Sequence, residues 1–149
     1  MVISDIDQEV FDYDWFAVDT DGHVLHFASA GGVLPASVAA SNEALTMLQE
    51  YFNRLPETPE ANKVQVVANV SKEKGVQYDS FVNYARRGLF SFDKTRLGAR
   101  LDACYHLIAR PQHELMLADL PTEVAAIISQ TRWPFSVAGI TTIRTSIII

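Results

Sequence analysis

The sequence predicts an α+β fold, a single domain over residues 1–149 with about three helices packed on a mostly antiparallel sheet. Three observations carry this reading. Asp21-Gly22 sits between two apolar runs, and Asp-Gly in a tight connection marks a β-hairpin. A second hairpin-like pair of apolar runs spans 89–92 and 101–109. Two other segments repeat apolar residues at helical spacing, and a third, 79–87, carries helix start and stop signals. The expected order is β-β-α-β-α-β-β-α-β, and its adjacent paired strands argue against a regular parallel βαβ fold. The chain has 149 residues, 48% hydrophobic and 20% charged, the balance of an ordinary globular domain. A chain of this length buries roughly 70% of its unfolded surface.

Taken in order, Tyr13–Asp19 and His23–Ser29 form the first hairpin. A two-residue type I′ turn would pair Thr20 with His23, Val18 with Leu25 and Phe16 with Phe27. That register puts these four apolar side chains on the core face. Trp15, Ala17, Asp19, Val24, His26 and Ala28 fall on the mixed face. Ala30-Gly31-Gly32 reads as a flexible turn. The first helix starts near Ser41, a good N-cap, with Glu43 in its first turn. Leu45, Leu48, Phe52 and Leu55 form its apolar stripe, and Pro56 and Pro59 end it.

Lys63–Val70 alternates, with Val64, Val66, Ala68 and Val70 on one face of a strand, and 71–75 is a charged turn. Asp79–Arg87 reads as a short helix capped by Asp79 and stopped by Gly88. Leu89–Phe92 and Leu101–Ala109 follow as strands. Pro121 suits the first position of a third helix, whose inward face is Val124, Ile127, Ile128 and Thr131. Phe135–Ile149 is rich in β-branched residues and predicts a long strand.

Several functional classes drop out. The longest apolar run, Val124–Ile128, is far short of the ~20 residues of a membrane-spanning helix. The N-terminus has neither the basic nor the apolar region of a secretory signal. Cys104 is the single cysteine, so no internal disulfide forms and no Cys-rich zinc site exists. A cytoplasmic location is expected. No cofactor is expected either. Placing Gly22 sixth in a calcium loop puts Ala17 and Ala28 at ligand positions. Cys104 and His106 lie about 6.6 Å apart along a strand, too far for a nucleophile pair. His23 and His26 point to opposite strand faces, and a surface role is the usual one for such histidines. The Ala30-Gly31-Gly32 turn matches no phosphate-binding pattern. Arg87-Gly88-Leu89-Phe90-Ser91-Phe92 approaches an RNA-binding strand, but its aromatics are shifted by one position. A sequence pI near 5.1 also disfavours nucleic acid.

Charge is the informative feature. Residues 1–53 hold nine acids and no Lys or Arg, and the remainder holds nine acids and twelve bases. The first third therefore carries −9 and the rest +3. These acids either face solvent, pair internally with Arg86, Arg87, Arg96 and Arg100, or form an anionic face that steers a basic partner. The expected partner-binding residues are Asp12, Tyr13, Asp14, Trp15, Asp19, Asp21 and His26, with aromatic anchors inside an acidic rim. The alternative is a small enzyme or ligand-binding protein with a cleft near Trp15, Asp19 and His26. A homodimer through the apolar tail Ile147-Ile148-Ile149 is a third expectation, set against a tail strand inside the core.

The stretches Asp14-Trp15-Phe16-Ala17-Val18-Asp19 through Gly22, His26-Phe27, Gly88-Leu89-Phe90 and Leu107-Ile108-Ala109-Arg110-Pro111 give the chain a texture. It resembles small bacterial domains, including immunity proteins that neutralise toxins. The resemblance implies a protein-binding role without catalysis and assigns no residue a task.

Overall fold

The computed structural model describes residues 1–67 and 78–148. Its elements are α1 (Asp5–Val10), β1 (Asp14–Val18), β2 (Val24–Ala28), α2 (Ala36–Ala39), α3 (Asn42–Arg54), β3 (Gln65–Val66), α4 (Asp79–Arg86), β4 (Phe90–Lys94), β5 (Cys104–Arg110), α5 (Thr122–Ile128) and β6 (Thr142–Arg144). The sheet runs β1-β2-β4-β5-β3, with β6 also paired to β5. Among the described residues β2 and β4 are parallel and the other pairings antiparallel. The α+β class and the expected order of strands and longer helices hold. The additions are α1 and the one-turn α2.

The first hairpin is shifted by one residue from the expected register. Val18 faces Val24, Ala17 faces Leu25, Phe16 faces His26 and Trp15 faces Phe27. The cause is the Asp19 side chain. Its Oδ1 accepts from the backbone N–H of Asp21 at 2.9 Å and of His23 at 2.8 Å. This side-chain turn widens the connection to residues 19–23, closed by Asp19 N–H to His23 C=O at 3.2 Å. Gly22 takes the left-handed conformation, φ +88°, that such a turn requires. A one-residue slip moves every side chain to the other face. Trp15, Ala17, Leu25 and Phe27 share one face, while Phe16, Val18, Val24 and His26 share the other.

Both faces are buried. On one, Phe52 of α3 packs on Phe16 with ring centroids 4.7 Å apart, and Tyr84 of α4 stacks on His26 at 3.9 Å. On the other, Trp15 stacks on Phe27 at 4.2 Å and meets Tyr105 edge-on at 5.7 Å. Strands β1 and β5 are separated by β2 and β4, which in a flat sheet would put them about 14 Å apart. The Trp15–Tyr105 contact therefore requires a strongly curled sheet, and its concave side is filled by aromatic rings. Segment 131–137 covers the outer edge of β1. Val18 N–H donates to Thr131 C=O at 3.1 Å and Trp133 N–H to Val18 C=O at 2.9 Å, so the turn end of this edge is already paired.

Helix α3 follows its sequence signals. Ser41 Oγ accepts from Ala44 N–H at 3.1 Å, and Leu45, Leu48 and Phe52 are buried. In α4, Asp79 is the first helical residue rather than the cap, a place taken by Tyr78. Its charge still faces the positive end of the helix. Gly88, φ +102°, ends that turn, and a Cβ there would lie 2.7 Å from Leu115 N. Pro121 occupies the N-cap of α5, one position earlier than expected. Strand β5 starts at Cys104, so Leu101 is an exposed turn residue.

The long C-terminal strand is not present. Thr142–Arg144 pairs with β5, and a 3₁₀ turn at Thr145–Ile147 then ends the ladder. Ile143 is buried and Ile148 packs against the core, which favours the core alternative for the tail. A three-residue edge gives little backbone for dimer pairing. Of the strand expected at Lys63–Val70, only Gln65–Val66 is seen. Ala68, Val70 and the 71–75 turn lie outside the described residues, as does Ile149.

Candidate functional site

The hairpin places its functional side chains at two ends of one ladder. At the turn end, Asp19 is buried and fully engaged. Besides the two turn bonds, its Oδ2 accepts from His23 Nδ1 and from Val137 N–H, both at 2.8 Å. His23 Nε2 meets Glu114 Oε2 at 3.0 Å. Burial disfavours the imidazolium, but the flanking Asp19 and Glu114 carboxylates outweigh it and raise the His23 pKa above its ordinary value. Ligand atoms of Asp19, Asp21 and His23 lie within 4.8 Å of one another. The Asp19 oxygens and His23 Nδ1 are already committed to each other and to backbone donors. The cluster is therefore a pin between the turn and segment 131–137.

At the other end a relay crosses three strands. His26 is fully buried. Its Nδ1 lies 2.6 Å from Ser91 Oγ and its Nε2 2.8 Å from Asp14 Oδ1. The Asp14 carboxylate can only accept, so Nε2 carries the proton and Ser91 donates its hydroxyl to Nδ1. The residue types match a nucleophile triad, but the order is inverted. Ser91 is the buried end, and Asp14, with 43% of its side chain exposed, is the solvent end. A sealed hydroxyl cannot attack a substrate, so the chemically available group is the oriented carboxylate. Asp14 lines a pocket of about 210 Å³ with Asn53, Ser80, Asn83, Tyr84 and Arg87. Tyr84, buried and close to Asp14, has its hydroxyl pKa raised by burial first and by the Asp14 charge second.

Next to Asp14 the chain surface is acidic and apolar together. Ser4 Oγ caps α1 through Asp7 N–H at 3.1 Å. The helix leaves Ile6, Val10 and Phe11 exposed. Phe11 meets Tyr13 edge-on with centroids 6.1 Å apart. Asp7 and Asp12 flank this pair. Across the sheet, Asp14, Ala28 and Asp93 occupy one row. Burial raises the Asp93 pKa to about 6, against the opposing N–H bond from Lys94, and the Asp12 charge adds to the rise. The native state thus holds this proton more tightly than the unfolded chain. Its stability falls as pH rises from about 4 through 6. Asp93→Asn should therefore raise stability above pH 6 by about 1–2 kcal/mol and give no gain near pH 4. Urea denaturation at the two pH values checks this.

The expected site residues are thus split. Asp12, Tyr13 and Asp14 lie together at one end of the hairpin, and Asp19 and Asp21 lie at the other, about 16 Å along a five-residue strand. Trp15, Asp19 and His26 are buried and offer no surface to a partner. His26 and His23 are core groups rather than surface ones. Tyr51 is half-buried beside Phe52. Phe90 and Phe92 are buried too, so the 87–92 segment exposes no stacking platform for bases. Lys94 is buried and bonds the Asp102 carbonyl, which removes it from any basic patch. Arg86 pairs with Glu57 and Arg96 with Asp102, while Arg100 approaches Glu9 at 3.9 Å. Arg87 binds the carbonyls of Leu55 and Asn83. Among the described residues, these arginines leave Asp5, Asp7, Asp12 and Asp21 without a cationic partner.

Comparison with protein-family models, curated proteins and solved structures finds no match to this chain. Two features of this region were not foreseen. Ser91 joins the relay through the parallel β2–β4 pairing, a contact spanning 65 residues of sequence that no local pattern reveals. The α1 helix did have a signal, Ser4 followed by Asp5 and Asp7 in the first turn. No described helix is long and apolar enough to cross a membrane.

Proposed function

We propose that this chain is a non-enzymatic interaction domain that binds a basic protein, in the cytoplasm, through the Phe11–Asp12–Tyr13 end of its acidic N-terminal third. The observation that carries this reading is an exposed Phe11 set edge-on against the half-buried Tyr13, beside Asp7 and Asp12, whose carboxylates have no cationic partner among the described residues. An aromatic anchor within an anionic rim combines desolvation energy with charge steering. The arginines of the chain support the reading by pairing mostly outside residues 1–53. A toxin-neutralising role of the immunity type would use such a face.

Affinity capture from the native lysate tests this, with wild-type protein beside a Phe11→Ala/Asp12→Lys variant. A basic polypeptide held by wild type is expected to leave at about 0.5 M salt, because exposed charge attraction already fades beyond ~8 Å at physiological salt. The variant is expected to lose it at low salt. Equal capture by both proteins, or none by either, would refute the assignment.

A further inference from the structure

The geometry points to the Asp14 pocket as a binding site for a small polar α-amino acid in its zwitterionic form. The pocket at the junction of β1, α3 and α4 carries one carboxylate, Asp14, and one guanidinium, Arg87. Its other lining residues, Asn53, Ser80, Asn83 and Tyr84, are uncharged hydrogen-bonding groups. A ligand bearing one ammonium and one carboxylate meets both charges at once. A simple cation would confront Arg87, and a simple anion would confront Asp14.

Both charged groups are held before any ligand arrives. The buried His26 donates from Nε2 to Asp14 Oδ1 at 2.8 Å and is itself fixed by Ser91 at 2.6 Å. A carboxylate has room for about four hydrogen bonds, so Asp14 keeps acceptor capacity after binding His26 and the Tyr84 hydroxyl. Arg87 is anchored by Nε to the Leu55 carbonyl at 2.8 Å and by Nη1 to the Asn83 carbonyl at 2.9 Å. Ordering long side chains in advance removes much of the entropic cost of binding. The relay thus acquires a purpose that the fold alone does not demand, since a buried Ser–His pair adds little net stability over apolar residues of similar shape.

The walls restrict the ligand further. A pocket of about 210 Å³ is below the ~300 Å³ lower end for drug-sized ligands. None of the lining residues is aliphatic, which disfavours a large aliphatic side chain. One face of Tyr84 is covered by His26 at 3.9 Å, and Phe16 meets the ring edge-on at 5.8 Å, so no aromatic platform is offered to a sugar ring. Small polar amino acids such as serine and asparagine match this polar lining best.

Isothermal titration of the full chain with each of the twenty free L-amino acids at millimolar concentration tests the assignment. Binding of one or more small polar amino acids is expected. N-acetylation, which removes the ammonium, should weaken it at least tenfold, and so should conversion to the amide, which removes the carboxylate. Asp14→Asn should cost at least tenfold. Asn83→Asp leaves the Arg87 anchors in place, places a second carboxylate opposite the ligand's own, and should cost as much. Phe11→Ala should leave amino-acid binding unchanged, which separates this site from the proposed protein-binding face. Absence of binding by all twenty would overturn the proposal. Equal binding of the capped compounds, or binding indifferent to both pocket variants, would overturn it as well.

Discussion

Asp19→Ala is expected to lower stability by about 3–5 kcal/mol, a large share of the 5–15 kcal/mol that holds a typical domain together. The carboxylate accepts four bonds, from Asp21 N–H, His23 N–H, His23 Nδ1 and Val137 N–H. Removing it strands several donors in a buried setting, each costing about 1–3 kcal/mol before relaxation. It also frees segment 131–137 from the turn and exposes the edge of β1. Asp19→Asn keeps the acceptor oxygen but puts an amide N–H₂ where an acceptor is needed, so its loss should be smaller, about 2 kcal/mol.

The pH dependence separates the charge from the geometry. His23 has a raised pKa, so the contribution of its imidazolium is fully present below the ordinary value of 6.5 and is lost as pH rises through the folded value. Deprotonation leaves a lone pair on Nε2 facing the Glu114 carboxylate. Wild-type stability should therefore fall from about pH 6 upward, and the fall should be smaller in Asp19→Ala. Urea titrations at several pH values measure both. A wild-type profile identical in slope to that of Asp19→Ala would remove His23 from the account.

The second large effect concerns the relay. His26→Ala should cost about 3 kcal/mol, because it opens a cavity beneath Tyr84 and leaves the buried Ser91 hydroxyl without its partner. His26→Leu combined with Ser91→Ala removes both polar groups and refills most of the space, so the double variant should lose only about 1 kcal/mol. A loss below the sum of those of His26→Leu and Ser91→Ala made singly is the signature of two groups acting as one unit. Denaturant unfolding of the singles and the double reads it directly. A double variant as unstable as the sum of its parts would mean that His26 and Ser91 contribute independently.

The elements of the fold were legible wherever one local cause decided them. Ser41 and the Leu45, Leu48, Phe52 stripe determine α3 because capping and burial agree. Asp21-Gly22 marks the turn, but the register followed the Asp19 carboxylate, whose backbone bonds outweighed the two-residue alternative. The alternation of Val137, Thr141, Ile143 and Thr145 did not become a long strand. Val137 N–H is held by Asp19, and the ladder with β5 ends at Arg144. In the candidate site Asp12, Tyr13 and Asp14 were readable as one acidic and aromatic run, of which Asp12 is exposed and the other two half-buried. Trp15 and His26 were misplaced because a sheet with helices on one face and a curled aromatic interior on the other buries both sides of a strand. Asn53, Asn83 and Arg87 meet Asp14 only through tertiary packing, so no spacing rule could bring them together.

The parallel contact of β2 with β4 bears on how the molecule is built. The β1–β2 hairpin closes through five connecting residues and can form within microseconds. His26 and Ser91 are separated by 65 residues, which include the whole of α3. That closure must be made before β4 can dock beside β2, and its entropic cost is met only when the ladder and the aromatic interior form together. The centre of the sheet thus cannot form from local contacts alone. A hairpin formed before that closure would leave its aromatic face uncovered, so the surface that the finished fold hides most completely is the one most open to wrong contacts in the unfinished chain.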